Sequence, residues 1–198
     1  SRLSFLLAWT ILFSSAKHNH MNLWHDIPLG ENAPEEINVI VEIPKGSHNK
    51  YEMDKETGLI MLDRANYNSS PYPCEYGFVP QTLWEDGDAA DVLVLATYPI
   101  HPGILVRVRP VALMEMTDGG ESDDKIIAVP VEDIRWSDVN DLKDLNKHAL
   151  KEFKLFFETI KLLKGKPVEV TVHGFKGKKE AMEAIDKSID LYTKKFGK

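Results

Sequence analysis

Three carboxylates fall within six residues at Asp86-Gly87-Asp88-Ala89-Ala90-Asp91, with the apolar run Val92 to Leu95 directly behind them. Hard divalent cations take oxygen ligands. In a loop running into a strand, Asp86 and Asp88 can point the same way, and Asp91 at the strand mouth can close the set from below. A calcium hand is excluded, because its fifth, sixth and twelfth positions would fall on Ala90, Asp91 and Thr97. A solvated acidic turn capping a strand uses the same residue types, so the loop needs support from elsewhere in the chain.

A second acidic turn, Thr117-Asp-Gly-Gly-Glu-Ser-Asp-Asp-Lys125, stands between the apolar runs Val106 to Met116 and Ile126 to Val129. Two such turns, each hung on a strand, can face each other across a sheet end. Glu42 interrupts the apolar strand Val39-Ile-Val-Glu-Ile43, where an ionised carboxylate is costly unless it meets a cation or lines a wet site; the alternative is an exposed position on an edge strand. Cations are interleaved with these acids. Asn49-Lys-Tyr-Glu-Met53 alternates with period two and puts Lys50 and Glu52 on one strand face. Arg64 ends a strand over Leu59 to Leu62, Tyr72-Pro-Cys-Glu-Tyr76-Gly forms a rigid aromatic turn, and Lys125 follows the second acidic turn. A cleft lined by both signs suits a metal-bound polyanion.

The elements that must position these groups are mostly short strands, from about Ile37 to Val131, divided by Pro44-Lys-Gly, Asp54-Lys-Glu-Thr-Gly58, Asp86-Gly and Tyr98-Pro-Ile-His-Pro-Gly103. Helix comes late. Asp141 or Asn146 can cap a helix through Lys164, where Leu150, Phe153, Phe157, Ile160 and Leu163 recur at three and four, and Gly165-Lys-Pro167 stops it. Val168 to Val172 reads as a further strand and Lys178 to Phe196 as a closing amphipathic helix. The fold class is α+β, mainly β: a compact barrel with flanking C-terminal helices, closure removing exposed sheet edges.

Composition bounds the rest. A chain of 198 residues fits one domain with a core of its own. The net charge of −7 argues against general nucleic-acid binding. The single Cys74 rules out an internal disulfide framework and reads as a small buried filler in its turn. The seven histidines are scattered, and no pair has the spacing of a zinc helix motif.

Six ordered blocks carry a family resemblance: Val-Glu42-Ile-Pro; Asn-Lys50-Tyr-Glu52; Asp63-Arg64; Tyr72-Pro-Cys-Glu-Tyr76-Gly; Asp86-Gly-Asp88-Ala-Ala-Asp91; and Met-Thr-Asp118 with Asp123-Asp-Lys125 and Ala-Val-Pro130. From about Met21 to the C-terminus the chain resembles the family I soluble inorganic pyrophosphatases. The resemblance implies hydrolysis of inorganic pyrophosphate to two phosphates on a five-stranded, OB-like barrel. It implies several Mg2+ ions per site, with Mn2+ or another divalent metal as substitutes, and a homo-oligomer, hexamer or trimer. Neither nucleic acid nor a membrane is an implied partner. Asp86, Asp91, Asp118 and Asp123 match the metal cluster, with Glu42 near a further metal through water, and Asp88 matches the general base. Lys50, Arg64, Tyr76, Lys125 and Lys161 match phosphate-binding groups, and Glu52 and Tyr72 match supporting residues.

Three departures stand out. Ala89 and Ala90 replace a proline and a larger apolar residue in the metal loop. Gly119 stands where bacterial members often carry an acid, which Glu121 can supply only from a shifted position. Ile160 precedes Lys161 where the family carries tyrosine, so one hydroxyl donor is missing. Seven carboxylates (Glu42, Glu52, Asp86, Asp88, Asp91, Asp118 and Asp123) face four cations (Lys50, Arg64, Lys125 and Lys161), a formal balance of −3. That balance repels a polyanion until divalent ions reverse it. Two alternatives stay open beside the hydrolase: an OB-like oligonucleotide-binding module, which wants a basic groove with stacking aromatics, and a catalytically impaired metal-binding paralogue.

Residues 1–20 stand apart from this pattern. Leu3 to Phe13 is an apolar run of 11 residues, too short to span a bilayer as a helix. With Arg2 ahead and Ser14-Ser-Ala16 behind, it resembles a secretory signal, whereas Met21-Asn-Leu-Trp-His-Asp-Ile-Pro reads like a complete cytosolic start. The expected organisation is an extension over 1–20 and a single domain over 21–198. The resemblance implies the cytoplasm, with export if the leading segment is a genuine signal.

Overall fold

Nine strands and two α-helices make up the described part of the chain. The computed structural model describes residues 21–166 and 168–197, so the signal-like segment and the helix-stopping role expected of Pro167 lie outside the described residues. In order the elements are β1 (Ile37–Ile43), β2 (Asn49–Met53), β3 (Ile60–Ala65), β4 (Glu75–Phe78), β5 (Asp91–Val94), β6 (Leu105–Asp118), β7 (Glu121–Ser122), β8 (Lys125–Pro130), α1 (Lys147–Thr159), β9 (Val170–Lys176) and α2 (Lys178–Phe196).

β1 pairs β4, β4 pairs β5, β5 pairs β8, β8 pairs β6, and β6 returns to β1, closing a ring of five strands. This is the mainly β, OB-like barrel with C-terminal helices that the sequence pattern and the resemblance lead one to expect. Closure satisfies strand edges that an open sheet would leave bare. The 14-residue β6 makes it possible: Leu105–Val108 pair with β1, Val108–Met114 with β8, and Leu113–Asp118 with β9. Pro110, which cannot donate to a ladder, sits where the β6–β8 register shifts. Gly77 allows β4 to lie close against β1, since a Cβ there would come within 2.1 Å of the Ile40 carbonyl oxygen.

Alternation along the ring strands feeds two apolar clusters. Leu93 and Ile127 point into one with Phe153, Phe156 and Phe157 of α1; Val92, Val94, Ile126 and Ala128 point into the other with Ala181, Ala184 and Ile185 of α2. Each valine, leucine, isoleucine or phenylalanine among these that is removed from water contributes roughly 1.5–3 kcal/mol, and the two helices pack against alternate side chains of the same strands. A third cluster gathers Trp24, Ile40, Phe78, Leu83 and Tyr192.

Three boundaries differ from expectation. α1 begins at its Asn146 cap, whose side chain accepts from the His148 and Ala149 amides, but it ends at Thr159 rather than Lys164. Beyond Ile160 the stripe has nothing to cover: Leu162 and Leu163 are exposed, and the chain passes into turns closed by Leu162 N to Thr159 O and Lys164 N to Lys161 O. Asp141 caps a separate 3-10 turn, Leu142–Asp144. β9 runs four residues past Val172, because its pairing with β6 skips His173 at a register shift and resumes through Gly174, Phe175 and Lys176. β3 likewise extends to Ala65, so Arg64 lies inside it rather than at its end.

Candidate active site

Glu42 sits where the β1–β4 register shifts, between the paired residues Val41 and Ile43. A bulge of this kind re-aims one side chain without ending the strand. β1 is a ring strand with neighbours on both sides and Glu42 is buried, so the exposed-edge alternative does not hold. Its Oε1 accepts the Met53 amide at 2.7 Å. Burial, followed by the charge of Asp91, pushes its carboxyl up to about 8.

The β2–β3 hairpin supplies a cationic wall. Its register also shifts, leaving Asp63 unpaired between Leu62 and Arg64. Asp63 accepts from Lys50 at 3.0 Å and from Arg64, while Lys50 also donates to Glu52 at 2.6 Å, as their shared face requires. Burial alone would lower the Lys50 ammonium; the hydrogen bonds to Glu52 and Asp63 more than offset it and hold the group above its ordinary value. Asp63 is thus a positioner of two cations to which sequence reading assigned no role.

The two acidic turns meet through Lys125. Its buried ammonium donates to Asp91 at 2.6 Å and to Asp123, and Tyr76 Oη donates to the same Asp91 Oδ2 at 2.5 Å. Burial raises the Asp123 carboxyl to about 6, with the charge of Asp91 adding to it and Lys125 opposing it. Burial would lower Lys125, but Asp91 and Asp123 outweigh it and raise the ammonium. Burial likewise raises Asp86, whose Oδ1 accepts the Asp88 amide at 3.0 Å. Tyr76 is raised well above its usual range and Tyr72, which meets it edge to face with centroids 6.0 Å apart, is pushed up to about 12, both mainly by burial. Lys161, just past α1, reaches Asp118 at the end of β6.

All of these groups line one cleft of about 520 Å3: Glu42, Lys50, Glu52, Arg64, Tyr72, Tyr76, Asp86, Asp88, Asp91, Asp118, Asp123, Lys125 and Lys161. Glu121 does not join them. It pairs with Asp118 across the β6–β7 hairpin and is exposed, so it does not stand in for the acid absent at Gly119. Ile160 is 7% exposed, belongs to the α1 core and also lines the cleft beside Lys161. Ala90, in the acidic loop, donates its amide to Thr82 Oγ1 at 2.9 Å. Among the lining residues to which sequence reading gave no role are Trp24, Asp54 and Lys55. Lys55 lies in a turn read only as a strand divider, and its ammonium reaches Asp88.

The donor chemistry fits a hard dication: Glu42, Asp86, Asp91, Asp118 and Asp123 offer only carboxylate oxygens. Burial first, and the neighbouring charge of Asp91 after it, raise the Glu42 and Asp123 carboxyls, and a bound dication would favour their ionised forms. Among the described residues, no three acids stand grouped closely enough to hold one ion, and ammonium groups of Lys125 and Lys161 lie against three of the five.

Similarity to known proteins agrees with this geometry. The family model for inorganic pyrophosphatase matches residues 39–193. A soluble inorganic pyrophosphatase 1 of Arabidopsis thaliana is 51% identical over 170 residues, covering 86% of this chain and 79% of that protein. An inorganic pyrophosphatase of Haloferax volcanii is 48% identical over 177 residues, covering 89% of this chain and 99% of its own length. The crystal structure of inorganic pyrophosphatase from Thermus thermophilus superposes with a TM-score of 0.83 at 43% identity, over 87% of this chain and 99% of that one. Sequence, fold and the family model thus converge over the stretch that builds the cleft, and the chain belongs to the inorganic pyrophosphatase family.

Proposed function

We propose that this chain hydrolyses inorganic pyrophosphate to two phosphates in the cleft between the acidic turns and the β2–β3 hairpin. The observation that carries the reading is the convergence, in that one cleft, of every acid, cation and tyrosine matched to the family from sequence. Lys50, Arg64, Lys125, Lys161 and Tyr76 hold the two phosphoryl groups by charge and hydrogen bonding, and stabilise the charge that collects on the departing phosphate. Glu52 and Asp63 orient Lys50 and Arg64. Asp88 accepts the proton of the attacking water. Asp86, Asp91, Asp118 and Asp123, with Glu42 behind them, would hold Mg2+ or a similar divalent ion, which when bound acidifies water and neutralises phosphate charge.

The comparisons give no support to the oligonucleotide-binding alternative, and the acidic cleft opposes it. A hexamer or trimer, a cytoplasmic location and a single domain over 21–198 complete the proposal. They rest on family resemblance, with every matched residue lying beyond Met21. Among the described residues no helix is long and apolar enough to cross a membrane.

Phosphate release from pyrophosphate, measured with Mg2+ and again after chelation, tests the reading. Turnover that chelator abolishes and near inertness toward ATP are expected, since the matched groups describe a site for two phosphates and no nucleoside. Comparable turnover of ATP would sink the substrate assignment. A chain beginning at Met21 should keep full specific activity, and sizing it by light scattering distinguishes hexamer, trimer and monomer.

A further inference from the structure

Lys55 lies in the turn between β2 and β3, and its ammonium donates to Asp88 Oδ1. The same ammonium stands 5.4 Å from the centroid of the Trp24 ring. Trp24 is 5% exposed and packs among Ile40, Phe78, Leu83 and Tyr192. Its indole Nε1 donates to the Thr82 carbonyl at 2.7 Å. Thr82 Oγ1 donates to Val79 O at 2.6 Å and accepts the Ala90 amide at 2.9 Å. One buried indole therefore reaches the acidic loop by two routes: through Thr82 to the backbone at Ala90, and through the face of its ring and Lys55 to the carboxylate of Asp88.

An isolated exposed ion pair contributes little, and the side chains of Lys55 and Asp88 are 57% and 56% exposed. This pair differs from an ordinary surface bridge in what anchors its two ends. On one side the cation rests against an indole that is itself hydrogen-bonded and packed. On the other, the Asp88 backbone is fixed twice: its amide donates to Asp86 Oδ1 at 3.0 Å, and its carbonyl accepts the Trp84 amide at 2.6 Å. The loop carries alanine at 89 and 90, so no proline ring restrains it, and Ala89 packs against the Trp24 cluster instead.

We propose that Lys55, seated on Trp24, is the positioning residue of Asp88: it engages Oδ1, so that Oδ2 is the oxygen left to take the proton of the attacking water. The proposal rests on the reading of Asp88 as the general base. Lys55 need not touch pyrophosphate for this role. A charge held at one carboxylate oxygen fixes the rotation of the group, and misplacing a reacting group by about 1 Å costs on the order of a hundredfold in rate.

Steady-state kinetics at saturating Mg2+ on Lys55→Met, Lys55→Arg, Asp88→Asn and the double variant Lys55→Met with Asp88→Asn test it. Expected is a roughly ten- to hundredfold fall in kcat for Lys55→Met, with KM for pyrophosphate and the Mg2+ requirement within about twofold of the parent, and substantial recovery in Lys55→Arg. In the Asp88→Asn background, Lys55→Met should add no further loss, because two groups acting as one unit are not additive. A parental kcat for Lys55→Met, a rise in KM alone, or losses that multiply in the double variant would overturn the proposal while leaving Asp88 as the base. Parental turnover of Asp88→Asn would overturn the assignment of Asp88 and this proposal with it.

Discussion

Asp91 and Lys125 are register partners across the parallel β5–β8 pairing, and the Lys125 ammonium lies 2.6 Å from Asp91 Oδ2. Lys125 is 2% exposed. Its charge is tolerated in the barrel because Asp91 and Asp123 both accept from it and because Tyr76, beneath the same Asp91 oxygen, completes the network. Removing one member of a buried charge network leaves the others uncompensated, at a cost of roughly 3–5 kcal/mol. Lys125→Met should therefore destabilise the metal-free protein by about that amount, and Mg2+ should restore part of the loss by supplying positive charge to the same carboxylates. Urea unfolding with Mg2+ and with chelator measures both effects; an unchanged midpoint in the metal-free variant would refute the argument.

Within the acidic loop the two aspartates should separate by role. Asp91→Asn removes a charge that cations share, and is expected to raise the Mg2+ concentration needed for half-maximal activity. Asp88→Asn should leave that requirement nearly unchanged and lower kcat by about 10²–10⁴-fold. Mg2+ titrations of activity on both variants provide the check, and near-parental turnover of both at saturating Mg2+ contradicts the division.

Glu42 makes the metal-free protein pH-sensitive. Its carboxyl is pushed from an ordinary 4.5 to about 8 by burial and then by Asp91, so the folded state holds this proton more tightly than the unfolded chain does. The stability it contributes is fully present below about 4.5 and is lost as pH rises through about 8. The loss is on the order of a few kcal/mol. Asp123, raised to about 6, adds to it in the same direction over a lower window. Urea midpoints in chelator should fall across this range, and Glu42→Gln should flatten the slope. A midpoint that rises with pH, or an unaltered slope in Glu42→Gln, would count against the buried acid. Calorimetry in buffers of different ionisation heat should also detect proton release when divalent ions load near neutral pH.

Ile160 tests the absent hydroxyl. It is packed with Phe156 and Phe157 and yet borders the cleft next to Lys161, so Ile160→Tyr meets two opposed effects. Overpacking costs about 1–3 kcal/mol of stability, whereas a new hydrogen bond to a charged phosphate is worth about 1.5–3 kcal/mol. A lower KM for pyrophosphate together with a lower unfolding midpoint is the expected pair of results. Destabilisation with no kinetic gain would show that the position serves the core alone.

Much of the site was legible because its chemistry is local. Asp86, Asp88 and Asp91 share one turn, Asp118, Asp123 and Lys125 share another, and Lys50 and Glu52 share a strand face through period-two alternation. The closing helix was legible throughout, since its amphipathic stripe runs the whole of α2 and ends at Gly197, whose φ of 68° no β-branched side chain would favour. Local pattern failed at the end of α1, where Leu162 and Leu163 keep the helical spacing but find no surface to cover.

What the amino-acid sequence determined by itself was the inventory: which acids, cations and hydroxyls exist, which share a turn or a face, and that strands precede helices. The tertiary structure alone decided which of them meet. The register shift that turns Glu42 inward depends on how β4 aligns with β1, and the one that strands Asp63 between two cations depends on how β3 aligns with β2. The Asp91–Lys125 contact exists because β5 and β8, 34 positions apart at that pair, run parallel in a closed ring. Lys55 meets Asp88, 33 positions along the chain, where the turn between β2 and β3 comes against the acidic loop, with the same ammonium over the ring of the buried Trp24. Side-chain period is a property of neighbours along the chain, whereas ladder register, bulge position and long-range charge pairing are set by the whole closed sheet at once.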